Sequence, residues 1–159
     1  MLKVSQSSQI LSLFLQKRES FHTFRKFMYS TLVFFNYTSD MSKRYSILVI
    51  EDDYSNLRVL EIFLSQFSFK VLSLDSSEKA WEFLSQTTCT FDIILSDIRL
   101  PKLNGLDLAR KIKASSHLKF IPLFAITAYA NEDYRNKCFD SGFDYFFPSL
   151  STLIFSTTL

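Results

Sequence analysis

FDIILSDIRLPKLNG, residues 91–105, is the stretch whose reading decides the fold. Residues 93–96 are mostly apolar and read as a buried strand. A bare carboxylate, Asp97, ends the run, and a loop with Pro101 and Gly105 follows. A short apolar run bounded by turn residues fits a strand covered on both faces. The question is why a charged group sits at the very end of such a strand.

The flanking sequence repeats the unit. Residues 45–52 (YSILVIED) form a short apolar strand ending in acids. Residues 55–67 put Leu57, Leu60, Leu64 and Phe67 at helical spacing after Ser55, a residue able to cap. Residues 69–75 alternate like a strand, and 76–86 read as a helix with Ser and Glu at its start. After the 91–97 strand, residues 105–115 predict a helix with Leu106, Ala109 and Ile112 inward. Residues 121–128 predict a fourth strand, 131–142 a fourth helix closed by Gly142, and 144–149 a fifth strand. Strands alternating with helices of this length argue for βαβ units and a parallel sheet.

In an open sheet of this kind, ligands sit beyond the carboxyl ends of the strands. Asp97 lies at such an end, as do Glu51 and Asp52 after the first strand and Thr127 near the end of the fourth. Taken singly, an acid at a strand terminus more often marks a turn. The convergence of four polar residues from three strands is what carries a functional reading. Three carboxylates in one crevice repel unless a cation neutralises them. All-oxygen ligation with open positions suits Mg²⁺ or a similar hard ion. A carboxylate beside such a cation can attack a phosphoryl group and hold it as an acyl phosphate. A hydroxyl facing that point can donate to a phosphoryl oxygen.

The totals set bounds around this reading. The chain has 159 residues, 47% of them hydrophobic, and a formal net charge of +2, so neither a disordered chain nor a strongly polyanion-binding one is indicated. Cys89 and Cys138 have no metal-like spacing and suggest no disulfide framework, so a reduced, cytoplasmic setting is expected. No apolar run approaches the roughly 18 residues needed to span a membrane. Composition changes along the chain. Both glycines and all three prolines lie beyond residue 100, and residues 1–40 carry five basic residues against two acidic ones. Residues 1–40 lack a sustained period and make a poor signal peptide, because the apolar stretch 10–15 is short and no small-residue cleavage site follows. Phe21, Phe24 and Phe27 share helical spacing beside Arg25 and Lys26, which a basic amphipathic anchor would also show. The stronger expectation is an N-terminal extension over 1–40, either an unstructured arm or an over-extended reading frame, with Met41 opening the regular pattern. A domain is expected over 43–149, followed by an atypical tail over 150–159.

Residues 45–148 resemble the receiver domain of two-component response regulators. The acidic pair in LVIEDDYSNLR, the acceptor in LSDIRLPKLNG, the IPLFAITA strand and the SGFDYFFP segment occur together and in the family's order. The resemblance implies a flavodoxin-like (βα)5 fold, an α/β three-layer sandwich with a five-stranded parallel sheet. It implies that Asp97 is the phospho-acceptor. It implies that Glu51, Asp52 and Asp97 hold Mg²⁺ together with the backbone carbonyl of Arg99. Thr127 would be the switch hydroxyl, and Phe146 fills the switch-aromatic position. Asp53 falls outside the matched pair and reads as a turn residue. The phosphoryl group would come from a histidine kinase or a phosphotransfer protein, in a phosphorelay with no direct nucleic-acid contact.

The end of the chain departs from the family. Ser149 stands where the family carries lysine and Leu150 where proline usually follows. The tail STLIFSTTL is β-branched and uncharged, and lacks the period of a surface helix, so the fifth helix is expected to be missing or degenerate. That would leave Phe146 or Phe147 exposed unless the tail folds back to shield them, and would favour self-association. Three functions follow. The leading one is a phosphorylatable signalling module, not an enzyme. The alternative is a degenerate receiver acting as a protein-interaction module without efficient phospho-switching. The third is a Mg²⁺-dependent phosphohydrolase of haloacid-dehalogenase type, which wants an aspartate two residues after the nucleophile; Arg99 occupies that position.

Overall fold

The computed structural model describes residues 45–65, 69–86, 91–128 and 131–147. Its elements run β1 (Ser46–Ile50), α1 (Tyr54–Ser65), β2 (Lys70–Leu74), α2 (Ser77–Gln86), β3 (Ile93–Asp97), α3 (Gly105–Ala114), β4 (Leu123–Ile126), α4 (Glu132–Asp140) and β5 (Tyr145–Phe147). The five strands form one sheet in the order β2-β1-β3-β4-β5, and every pairing is parallel. This is the flavodoxin-like order. The chain moves outward from β1 to β2, returns across β1 to β3, and continues in the other direction. Order therefore reverses between β1 and β3, and the crevice beyond their carboxyl ends is the expected ligand position.

The apolar runs are explained by burial on both faces. Side chains alternate along a strand, so Leu48, Ile50, Ile94 and Ala125 face one way, packed with Ala80 and Leu84 of α2, Leu108, Ala109 and Ile112 of α3, and Cys138 of α4. Ile47, Val49, Ile93, Leu95, Phe124 and Ile126 face the other way, packed with Leu60, Phe63 and Leu64 of α1. Each fully buried Leu or Ile contributes about 1.5–3 kcal/mol relative to exposure, so both cores depend on the register that β1 and β3 share. Among the described residues, no helix is long and apolar enough to cross a membrane.

Helix ends follow side-chain chemistry. Asn104 accepts from Asp107 N–H at 2.9 Å to start α3, and Asn131 accepts from Tyr134 N–H at 2.8 Å to start α4. Gly142, at φ +103°, closes α4 in the left-handed region that glycine favours. One expectation needs correction. Asp53, not Ser55, caps α1: its Oδ1 accepts from Asn56 N–H at 2.9 Å, and Ser55 lies inside the helix. Leu106 packs half-buried against the core beside Ala109 and Ile112, and Leu108 is fully buried with them. Phe146 and Phe147 are both buried, at 4% and 1% exposure. Ser149, the fifth-helix position, the 150–159 tail, the 1–40 extension, Phe67 and Cys89 lie outside the described residues.

Candidate functional site

The parallel ladder delivers three polar positions to one rim. Glu51 follows the last residue of β1, and its N–H donates to Leu74 O at 3.1 Å. Asp97 is the last residue of β3, paired with Ile126 of β4. Thr127 is the next residue after β4, is 2% exposed, and donates its N–H to Phe147 O at 3.1 Å. One carboxylate oxygen from each of Glu51, Asp52 and Asp97 lies within 4.8 Å of the others. Oxygens bound at about 2.1 Å to a single Mg²⁺ lie at most about 4.2 Å apart, so small side-chain rotations would close the three onto one ion. All three donors are oxygens, which fits a hard cation.

The three acids differ in depth. Glu51 is buried, Asp97 is half-buried and Asp52 is exposed at the mouth. Burial pushes the Glu51 carboxyl up to about 7, the Asp97 charge adds to this, and Asp53 N–H opposes it with a 3.2 Å bond to Oε1. Burial also raises Asp97, against the N–H groups of Arg99 and Ile98. Those two donate to the same oxygen, Oδ1, at 3.3 Å and 2.6 Å respectively. The site therefore concentrates negative charge where water is scarce, and a cation is the natural relief.

The loop after Asp97 is tightly constrained. Gly105 N–H donates to Ile98 O at 2.8 Å, which brings the start of α3 against the end of β3. A Cβ at Gly105 would sit inside van der Waals contact with Asp97 O and 2.8 Å from Ile98 Cα. Only glycine permits that approach. Lys102 adopts φ 63° without being glycine. The Gly105 constraint was readable in outline, since a chain with two glycines places one of them here. The Lys102 conformation had no sequence signal.

Of the expected site residues, Glu51, Asp52 and Asp97 come together. Arg99 is exposed, two residues beyond Asp97, and touches it through its N–H. Thr127 stands one residue past the strand position beside Asp97. Phe146 is opposite Ala125 in the β4–β5 ladder, in the core shared with α2, α3 and α4.

Known proteins resemble this chain. The family model of the response regulator receiver domain matches residues 47–148. The chain is 32% identical over 103 residues to hybrid signal transduction histidine kinase M of Dictyostelium discoideum, covering 63% of this chain and 4% of that protein. It is 33% identical over 82 residues to chemotaxis protein CheY1 of Helicobacter pylori, covering 51% of this chain and 65% of that one. The chain thus spans less than two thirds of either relative. Among solved structures, the receiver domain of a sensor histidine kinase from Pseudomonas aeruginosa, which has a magnesium ion coordinated in its active site cleft, superposes with a TM-score of 0.62 at 27% identity, covering 70% of this chain and 92% of that one.

Proposed function

The chain belongs to the response regulator receiver domain family of two-component signalling, and on that premise we propose that it accepts a phosphoryl group on Asp97 from a histidine kinase or phosphotransfer protein in the cytoplasm. The observation that carries the proposal is the position of Asp97. It ends β3 at the point where strand order reverses, with the Glu51 and Asp52 carboxylates within 4.8 Å.

The N–H groups of Ile98 and Arg99 both donate to Asp97 Oδ1, so Oδ2 is the oxygen we assign as the nucleophile. Oδ2 attacks phosphorus, the bond from phosphorus to the donor imidazole nitrogen breaks, and that nitrogen keeps the electron pair and takes up a proton. Glu51, Asp52, Asp97 and the carbonyl of Arg99 are the residues that would hold Mg²⁺, as the P. aeruginosa domain holds one. The ion supplies charge neutralisation for the incoming phosphoryl oxygens. Thr127 donates its hydroxyl to a phosphoryl oxygen, and Phe146 responds through the β4–β5 ladder that both residues border. The role is that of an acceptor module rather than a turnover enzyme. The module is proposed to span residues 43–149.

Incubation with acetyl phosphate and Mg²⁺, read by intact mass, tests the reading. One added phosphoryl group in the wild type and none in Asp97→Ala supports it. Equal labelling of both removes the site assignment, and sustained phosphate release with turnover indicates a phosphohydrolase instead.

A further inference from the structure

Residues 98–104 connect Asp97 to α3 and carry the Arg99 carbonyl. At one end the loop is held by Asp97 Oδ1 itself, and at the other by Gly105 N–H on Ile98 O and by the Asn104 cap. Its middle is chemically awkward. Pro101 has no N–H to offer, and Lys102 sits at φ 63°, a left-handed conformation unfavourable for a residue with a Cβ. Strained backbone of this kind persists where its surroundings over-determine it. The neighbouring Leu103 N–H is fixed from outside the loop, donating to Glu78 Oε1 of α2 at 3.0 Å, across 25 residues of sequence. The Leu103 side chain packs against the core formed with α2 and α3.

We propose that Glu78 is a positioning residue for the phospho-acceptor site: by accepting the Leu103 N–H it holds Lys102 in its left-handed conformation and so fixes where the Arg99 carbonyl stands relative to Asp97. The inference rests on the reading of Asp97, Glu51 and Asp52 as a metal-assisted acceptor site. The Leu103 bond is also the leading reason that the Glu78 carboxyl lies below the usual range. A competing role is purely local. Glu78 lies in the first turn of α2, where any negative charge favours the helix dipole. The two roles differ in what they require. The dipole needs the charge, whereas the loop needs only an oxygen that accepts a hydrogen bond.

The test compares wild type, Glu78→Gln and Glu78→Ala. Mg²⁺ affinity is measured by calorimetry and Leu103 amide exchange by NMR, with circular dichroism confirming that each variant is folded. Loss of an outer partner of a metal ligand typically weakens binding by at least tenfold. Glu78→Ala is therefore expected to bind Mg²⁺ about tenfold more weakly and to lose protection at the Leu103 amide. Glu78→Gln should stay close to wild type in both. Unchanged Mg²⁺ affinity in Glu78→Ala overturns the proposal. So does a Glu78→Gln variant that falls as far as Glu78→Ala, because the charge and not the bond would then be what counts. If the wild type itself binds no Mg²⁺, the acceptor-site reading fails and the positioning role falls with it, whereas a wild type that binds Mg²⁺ beside a Glu78→Ala variant that binds it equally well overturns the positioning role alone.

Discussion

Replacing Glu51 with glutamine should make the metal-free domain more stable. Glu51 is 5% exposed, and its carboxyl is shifted from an ordinary 4.5 to about 7. The folded protein thus holds this proton more tightly than the unfolded chain does. Between those two values the folded state binds more protons, so stability falls as pH rises through the window. Above it the whole penalty of the buried charge is present, and below 4.5 it is absent. The gap corresponds to about 3 kcal/mol. Glutamine removes the charge at every pH, and its amide oxygen can still accept the Asp53 N–H that Glu51 Oε1 accepts now. Glu51→Gln should therefore exceed the wild type by up to about 3 kcal/mol near pH 8 without metal, the advantage closing toward about pH 4.5. Mg²⁺ should cancel most of that advantage. At a hundred times its dissociation constant a ligand stabilises by about 2.7 kcal/mol, a gain open to the wild type and largely lost to the variant. Urea unfolding at both pH values, with and without Mg²⁺, measures all of this. A variant no more stable than wild type near pH 8, or an advantage that grows toward acid, would refute the reasoning.

Gly105→Ala should cost about 3 kcal/mol, the upper end for overpacking, because its Cβ meets the backbone of Asp97 and Ile98 rather than a side chain that can move; chemical denaturation reads this, and Mg²⁺ affinity should fall with it. Asp53→Ala should lose about 1 kcal/mol through the α1 cap while Asp53→Asn keeps it, and both should label with acetyl phosphate nearly as the wild type does, measured by intact mass. Ser149→Lys with Leu150→Pro returns an ammonium to the position where the family carries one; the variant should show a larger beryllofluoride-induced change in the NMR spectrum around Thr127 and Phe146 than the unmodified chain, and an equal response in both would remove the role assigned to that position.

What the sequence revealed and what it hid divide along physical lines. The strands were legible because β1, β3 and β4 are buried on both faces, which gives short continuous apolar runs bounded by turn residues. Asp97 was legible for the same reason, since a carboxylate interrupting such a run has only the rim to occupy. The start of α1 was misassigned because Asp52, Asp53 and Ser55 all carry capping oxygens, and only the bond from Asn56 N–H shows which one acts. The inward face of α3 was legible in Leu106, Ala109 and Ile112, and Leu108, about 200° round the helix from Leu106, widens it. The Glu78–Leu103 bond was invisible: it joins residues 25 apart, and no glycine or asparagine marks the left-handed turn at Lys102.

The central claim is that Asp97 itself carries the phosphoryl group. Brief treatment with acetyl phosphate and Mg²⁺, reduction with borohydride, and peptide mass spectrometry test it directly, because borohydride converts an aspartyl phosphate to homoserine and leaves free aspartate unchanged. The account predicts homoserine at position 97, dependent on Mg²⁺, with aspartate intact at 52 and 53. Homoserine at 52 or 53, or aspartate at 97 in protein that has demonstrably gained a phosphoryl group, would contradict it.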